Sequence, residues 1–472
     1  MKLNKLFYIL TFLIFLASLN FYVVTNLSKK NNFFVHKIKS LFPQSSRNFL
    51  KKFNSEVKDI IFIFDNNKNL KSVIEDKNIK ILDILDSIQT FNFTRDVEEL
   101  VNNKEYKLTK YTNPLLAEMG PRSYLAFDKQ YLVLMTGTGT LMYTNINNFK
   151  NKNLTFKKIE SNFNQLVMDK FKDGRKSVVK NILIDDNKIY VSYLKLVNKK
   201  CAKLAVLSSD LDLNELNFIE FFEIDSCLPY GGQMIQTGGN LSKFKNNQIL
   251  LTVGDFSSYE VLKNDNPQKL NNMMGKIISI DKKNKKNNIL SLGHRNSQGL
   301  FYDEFDDIIY STDHGPKGGD EINIDFTHDH KDPKNFGWAI SSYGEHYSFP
   351  QKWLSEDLYK RAPLNKSHSK FGFVEPLKYF TPSIGITQII KTEKFENLLD
   401  KKVIYVGSMG WDLDENDLSI HKFILNNDYK IEEHEIIPIT ERIRDLIYEK
   451  KTNKIFMFLE TSGSIGILEK TL

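Results

Sequence analysis

From about residue 120 the chain repeats one pattern of hydrophobic and polar positions. An apolar piece with strand character is followed by a polar turn and then by a second strand rich in β-branched or aromatic residues. The instances begin at Tyr124 (YLAFDKQYLVLMTG), Ile182 (ILIDDNKIYVSYL), Leu241 (LSKFKNNQILLTVGD), Leu300 (LFYDEFDDIIYSTDHG), Thr387 (TQIIKTEKFENLLDKKVIYVGSMG) and Leu446 (LIYEKKTNKIFMFLET). The turns, such as Asp-Lys-Gln and Lys-Asn-Asn-Gln, have hairpin chemistry. Further apolar pieces follow most hairpins (LMYTNI, KLAVLSSDL, KIISIDKK, LSIHKFIL, SIGILEK) and read as outer strands. Most starts lie roughly 58–60 residues apart, with one longer gap between the fourth and the fifth. Six sheet-forming repeats predict an all-β fold, a six-bladed β-propeller over residues 116–472. An array of β-sandwiches is the alternative, but the period is too long for a single sandwich strand pair.

The text upstream is different. Residues 6–27 carry no charge and are mostly apolar, with Lys2 and Lys5 before them and Lys29 and Lys30 after. That length fits a transmembrane helix, so residues 1–30 are expected to be a signal anchor. A cleaved signal peptide is the alternative. Residues 31–115 are rich in Lys and Asn, and IKILDILDSIQTF (79–91) reads as a short helix. This part is expected to be a stalk or accessory segment.

Charge follows the same division. The formal net charge is +7, yet residues 1–52 hold nine Lys/Arg and no Asp/Glu, leaving 56 basic and 58 acidic residues beyond them. The basic character belongs to the N-terminal arm, and the body is not read as a nucleic-acid binder. The expected location is the membrane, with the propeller exported to the periplasm or cell exterior. Cys201 and Cys227 are the only cysteines. In an exported chain they could pair, and two buried thiols are equally consistent.

A propeller places the residues before each inner strand, and those after each second strand, at one mouth of the central channel. The preceding stretches are MGPR (119–122), DGRKS (173–177), QTGGN (236–240), GHRNSQG (293–299), TPSIG (381–385) and ERIRD (441–445). GDFSS (254–258) and HGPKGGDE (314–321) follow second strands. These are polar, Gly-rich stretches, and together they predict a ligand-binding funnel. Arg295, Arg442 and Arg444 would repel one another there unless an anion, such as a polycarboxylate, lies between them. The alternative is local pairing with Glu441, Asp445 or Asp320. The turn carbonyls of HGPKGG followed by Asp320 and Glu321 offer hard oxygen ligands suited to Ca²⁺; a solvated acidic loop is the alternative. His294 reads first as a structural residue, HDHKD (328–332) as a surface loop, and Trp338 as packing. No serine nucleophile elbow, H-E-x-x-H or C-x-x-C is present.

Taken in order and at these distances, GHRNSQGL, HGPKGGDEIN, NFGW, TPSIG and RIRD resemble the soluble quinoprotein glucose/sorbosone dehydrogenases, closest to the PQQ-dependent aldose sugar dehydrogenases. The resemblance covers roughly residues 120–472 and implies a six-bladed propeller. It further implies that Arg295 and Asn296 contact the quinone of pyrroloquinoline quinone (PQQ) and that Arg442 and Arg444 hold its carboxylates. Backbone carbonyls of Gly315 and Pro316 would ligate a Ca²⁺ ion, with Asp320 and Glu321 at a second one. The implied substrate is a sugar or related alcohol.

Four positions depart from the family pattern. Gln236 stands where the family has its catalytic His, and glutamine has no group that titrates near neutral pH. Asn240 replaces the Arg of the same motif. Arg175 and Met409 stand where a Gln and a Lys toward the cofactor are expected. Asp255 or His314 could substitute as base. Two functional expectations follow: a PQQ-dependent sugar dehydrogenase, or a repurposed propeller that binds a carbohydrate, an anionic ligand or a protein partner.

Overall fold

The computed structural model describes residues 88–472, apart from 101–104, 120–121, 172–176, 199–200, 228–235, 246, 260–261, 330, 348–355, 399–400 and 472. The chain divides into two units, Met1–Asn78 and Ile79–Leu472. The first, with the expected transmembrane stretch 6–27, lies outside the described residues. Among the described residues no helix is long and apolar enough to cross a membrane.

The body is all-β. Each hairpin of the sequence pattern forms, and its apolar half becomes an inner strand. These strands are Tyr124–Asp128, Val179–Asp185, Gly238–Phe244, Ser297–Asp303, Ile386–Lys391 and Ile443–Glu449. Each packs beside the next, and the last packs beside the first, so the six close a circle. Each pairs antiparallel with its hairpin partner, and further strands add outward. The expected outer pieces are the third strands, among them Leu141–Asn145, Cys201–Asp210 and Ser464–Lys470. Apolar side chains from both faces of these sheets interdigitate in the core. Each fully buried Leu, Ile or Phe there is worth about 1.5–3 kcal/mol.

The accessory reading of residues 31–115 needs correction at its C-terminal end. Tyr106–Thr112 pairs antiparallel with Ser464–Lys470, from Tyr106 opposite Lys470 to Thr112 opposite Ser464. Thr90–Glu99 then pairs with both Tyr106–Thr112 and Asn153–Ser161. An N-terminal piece thus supplies the outer edge of the C-terminal sheet and joins it to the first. Phe91 and Phe93, which open that strand, are buried in the core. The expected helix over 79–91 is a strand where it is described, from Thr90 onward. The long gap between the fourth and fifth repeats is an excursion between Asp320–Phe326 and Lys378–Phe380. It has a small core around Trp338, Ala339, Leu358, Ala362 and Leu364, joined by Tyr259 from the loop after Gln248–Val253.

Five of the six inner strands slip register against their partners. The irregularities fall between Val179 and Asn181, Gly238 and Leu241, Ser297 and Gly299, Ile386 and Ile389, and Ile443 and Asp445. A bulge adds a residue and re-aims the side chains around it. Three of these strands, from Gly238, Ser297 and Ile443, begin three residues before the apolar text does, inside stretches that read as loops. Gly238 and Gly239 make this possible in QTGGN, with φ of +61° and +107°. A Cβ on Gly239 would lie 2.4 Å from the Lys180 side chain.

The bulges also build a polar belt. Asn181 Nδ2 donates to Asn240 Oδ1 (3.1 Å), and Gln388 Nε2 donates to the same oxygen (3.3 Å). Gln388 Oε1 accepts from Leu300 N–H (2.8 Å), and Asp445 Oδ2 accepts from Leu125 N–H (2.7 Å). Gln388 also hydrogen-bonds Asp445. The belt touches all six inner strands. Asn240, the expected mouth Arg, belongs to it.

Candidate functional site

The motif residues gather at one mouth of the circle, where Asp313 is the organising carboxylate. Its Oδ1 accepts from the backbone N–H of Arg295 (3.1 Å) and Asn296 (2.8 Å). Its Oδ2 meets His294 Nδ1 (2.8 Å) and the Ser297 hydroxyl (2.9 Å). Burial alone would raise its pKa, but these donors, led by His294, hold it below the ordinary aspartate value. His294 Nε2 also meets the Ser291 hydroxyl at 2.8 Å, and its ring stacks on Phe336. It is a structural residue, and with Asp313 it fixes the backbone of GHRN.

Arg295 and Asn296 are thereby aimed. Arg295 is buried, and its Nη1 donates to the carbonyls of His314 (3.0 Å) and Gly315 (2.6 Å). Its guanidinium lies over the rings of Trp338 (5.3 Å) and Tyr347 (5.7 Å). Its Nε is buried without a hydrogen-bond partner. Asn296 Oδ1 accepts from Gly238 N–H (3.1 Å) and Gln298 Nε2 (3.0 Å), which ties GHRN to QTGGN.

Arg442 and Arg444 share one acid that the sequence reading missed. Arg442 Nε meets Glu460 Oε2 at 3.0 Å, and Arg444 meets Glu460 Oε1 at 2.5 Å. None of the acids expected as partners fills this role: Glu441 pairs with Lys110 (2.6 Å), Asp445 sits in the belt, and Asp320 is bound by amides. Burial would weaken the Arg444 charge, but Glu460 more than offsets it and raises the Arg444 pKa. Burial would also raise Glu460, yet Arg444 and then Arg442 hold it low. Arg122 bonds the Ser177 hydroxyl at 2.7 Å. Desolvation in the mouth, and then the Arg444 charge, push its pKa below the ordinary value. Three guanidiniums, those of Arg122, Arg442 and Arg444, thus act on Glu460. A sign was present in the text, because Glu460 follows a second strand just as GDFSS and HGPKGGDE do.

Arg442 also donates to the Met409 carbonyl and stacks on Trp411, 4.1 Å from the ring centroid. Trp411 is 82% exposed, and its loop is held by Asp417 Oδ2, which accepts from Trp411 N–H (2.7 Å) and Asp412 N–H (3.0 Å). Exposure combined with a fixed backbone makes this indole a ready platform for a ligand.

The expected acid–base residues separate in the structure. Gln236 has φ +58°. Its Oε1 accepts from both the N–H and the hydroxyl of Ser257, each at 3.1 Å. Asp255 is fully buried; its Oδ2 accepts from the Trp338 indole (2.7 Å) and its Oδ1 from Ser257 N–H (2.9 Å). Asp255 therefore braces the Trp338 indole and the Ser257 turn. His314 is half-buried, and its Nε2 has no hydrogen-bond partner. Burial lowers its pKa, with Arg295 and Arg444 adding to the effect against Asp320, so the imidazole is neutral at pH 7. Arg175 lies outside the described residues.

The Ca²⁺ expectation does not fit this geometry. The Gly315 carbonyl faces Arg295, and the Pro316 carbonyl accepts from the Ser383 hydroxyl (3.2 Å). Asp320 accepts from Gly315 N–H and Ile386 N–H, each at 3.0 Å, and so pins the HGPKGG turn. Glu321 lies 3.3 Å from His368 Nε2. Adjacent residues on a strand point to opposite faces, so Asp320 and Glu321 cannot converge on one ion. Among the described residues no cluster of three His, Cys, Asp or Glu could hold a metal.

The glucose/sorbosone dehydrogenase family profile matches residues 178–467. The chain belongs to the glucose/sorbosone dehydrogenase family. Two curated proteins are similar to it at low identity. The aldose sugar dehydrogenase YliI of Escherichia coli (strain K12) is 27% identical over 161 residues, 34% of this chain and 37% of that protein. An uncharacterized protein of Synechocystis is 27% identical over 243 residues, 48% of this chain and 53% of that one. The chain spans about half or less of the curated relatives it matches. Among solved structures, the soluble aldose sugar dehydrogenase of Escherichia coli in its apo form superposes with TM-score 0.57 at 18% identity, covering 80% of this chain and 100% of that one. The holo form of the PQQ domain of Coprinopsis cinerea pyranose dehydrogenase superposes with TM-score 0.50 at 10% identity, covering 80% and 97%. At these identities the likeness establishes the shared fold.

Proposed function

We propose that this family member is a PQQ-type aldose sugar dehydrogenase-like oxidoreductase built on a six-bladed propeller. In this reading the ten-stranded sheet counts as two blades joined through Thr90–Glu99. The observation that carries the proposal is the guanidinium surplus at one mouth: Arg122, Arg295, Arg442 and Arg444 against Glu460 and Asp313, the latter already engaged by backbone amides, His294 and Ser297. An anionic, polycarboxylate quinone is the ligand that balances such a surplus. The orphaned Nε of Arg295 also fits an absent partner. Arg442 and Arg444, held rigid by Glu460, would bind carboxylates, with Arg295 and Asn296 at the ring system. PQQ, when bound, would supply the two-electron acceptor. No step is assigned to Ca²⁺.

The protein's own part is binding and proton handling. Trp411 offers a flat apolar face for a sugar ring. Gln236 can hold a hydroxyl but cannot take its proton. His314 Nε2, neutral and without a partner, is the nitrogen able to accept it. The reading of an exported body is supported by the Cys201–Cys227 disulfide, with Cα atoms 5.2 Å apart. The apolar stretch 6–27 would be its membrane anchor.

The test is a PQQ titration of the purified chain, with and without Ca²⁺, following thermal stability and then reduction of a dye acceptor by aldoses. Saturable stabilisation without a Ca²⁺ requirement, followed by sugar-dependent reduction that His314→Ala abolishes, is the expected result. Stabilisation without turnover would favour the second reading, a sugar- or anion-binding propeller, which rests on Gln236 in place of the base. No stabilisation at all would reject the cofactor.

A further inference from the structure

A large cavity lined by described residues lies at the other end of the channel. It encloses about 1170 Å³ and is formed by the far ends of the inner strands and the hairpin turns beyond them. Its deepest wall is a collar with one apolar residue from each inner strand: Leu125, Ile182, Leu241, Leu300, Ile389 and Leu446. In four strands the collar residue directly follows a belt residue, as Ile182 follows Asn181. The polar belt therefore floors the cavity and separates it from the motif mouth. An apolar pocket of this size with few polar groups at its base is the usual form of a small-molecule site.

The rim is rich in lysine, with seven lysines against six acids once the three acids around Lys391 and the partners of Lys245 and Lys401 are counted, a balance of +1. Lys391 takes Asp303 (2.5 Å), Glu393 (2.7 Å) and Asp306 (3.4 Å). Lys245 pairs with Asp307 (3.2 Å) and Lys401 with Glu432 (2.8 Å). Among the described residues Lys243, Lys394, Lys402 and Lys450 line the cavity and are in no ion pair, against one such acid, Glu304. Phe305 at the same rim is 94% exposed.

We propose that this mouth is a second ligand site, for a small organic anion with an elongated apolar body, of the medium-chain carboxylate type. The chain would lie against the collar and the carboxylate among the lysines outside those close ion pairs. This site is independent of the PQQ reading, because the residues of the opposite mouth take no part in it.

Calorimetric titration of the purified chain with hexanoate, octanoate and decanoate tests the proposal. Affinity should rise about fourfold per added methylene, the fold-change that burying one CH₂ gives. The double charge reversal Lys243→Glu/Lys402→Glu should weaken decanoate binding at least tenfold and leave the melting temperature near that of the parent. Arg444→Ala, at the other mouth, should leave decanoate affinity unchanged. Loss of binding in Arg444→Ala but not in the lysine double variant would place the anion at the motif mouth and overturn the proposal. So would a length-independent response, or no saturable binding.

Discussion

The two mouths of one channel are made from the same six strands and solve opposite problems. At the motif mouth the cations are arginines, each fixed by a second contact. Arg442 and Arg444 share Glu460, Arg295 is held by two carbonyls, and Asp313 sets the backbone behind them. At the hairpin mouth the cations are lysines on turns, around an apolar collar. Planar guanidiniums pre-set at known positions suit recognition of a rigid polyanion, whereas flexible ammonium groups suit a ligand held mainly by its apolar part. The division arises at the bulges. At four of the slips a polar side chain, Asn181, Asn240, Gln388 or Asp445, stands at the irregularity and a leucine or isoleucine follows it.

The largest expected effect tests how far the motif mouth depends on one acid. Glu460→Ala leaves two buried guanidiniums uncompensated and should destabilise the protein by about 3–5 kcal/mol in denaturant unfolding. PQQ or another polycarboxylate should restore part of that loss. No recovery with any anion would argue that the pair is structural. Cys201→Ser with Cys227→Ser should cost about 3.5 kcal/mol, from chain entropy over a separation of 26 residues. A loss restricted to reducing conditions in the parent protein would show the same bond by another route.

The boundary between the mouths can be tested by pH. Burial pushes the Asp445 carboxyl up to about 6, against hydrogen bonds from Leu125 and Leu446. Its folded pKa lies above the unfolded value, so the folded state holds the extra proton between roughly pH 4 and pH 6. Stability from this group is present below that window and is lost as pH rises through it, by about 2–3 kcal/mol in total. Unfolding of Asp445→Asn across pH 4–7 should lack that decline. Parallel pH curves for the two proteins would refute the assignment.

Smaller effects sharpen the contrast. Arg444→Ala should weaken PQQ binding at least tenfold, about 1.4 kcal/mol, whereas Lys243→Glu/Lys402→Glu should not change it. Trp411→Ala should shift stability by no more than about 0.5 kcal/mol, as expected for an exposed side chain. It should raise the sugar KM with PQQ affinity retained. A loss of PQQ affinity instead would place the cofactor, not the sugar, against the indole.

The sequence alone determined the local text of this protein. Hairpins begin where alternating apolar residues meet turn residues, and the inner strands follow because that text satisfies the backbone over short distances. It also marked the mouth, since Gly-rich polar stretches recur at one place in each repeat. The family was legible in GHRNSQGL and HGPKGGDEIN, and the replacement of a basic imidazole by Gln236 needed no coordinates. The pairings were decided only in three dimensions. Glu460 as the partner of Arg442 and Arg444, Asp255 as a brace for Trp338, and Tyr106–Thr112 as the edge of the C-terminal sheet are contacts between distant segments, and composition contains no information on them. Strand starts were misplaced for the same reason. A bulge is a difference in register between two strands, so it exists only once they pair. For the Ca²⁺ expectation the ligand residue types are present, but their oxygens are engaged by Arg295, Ser383 and two backbone amides. Which donor reaches an oxygen first is a question of distance, and the tertiary structure alone sets distance.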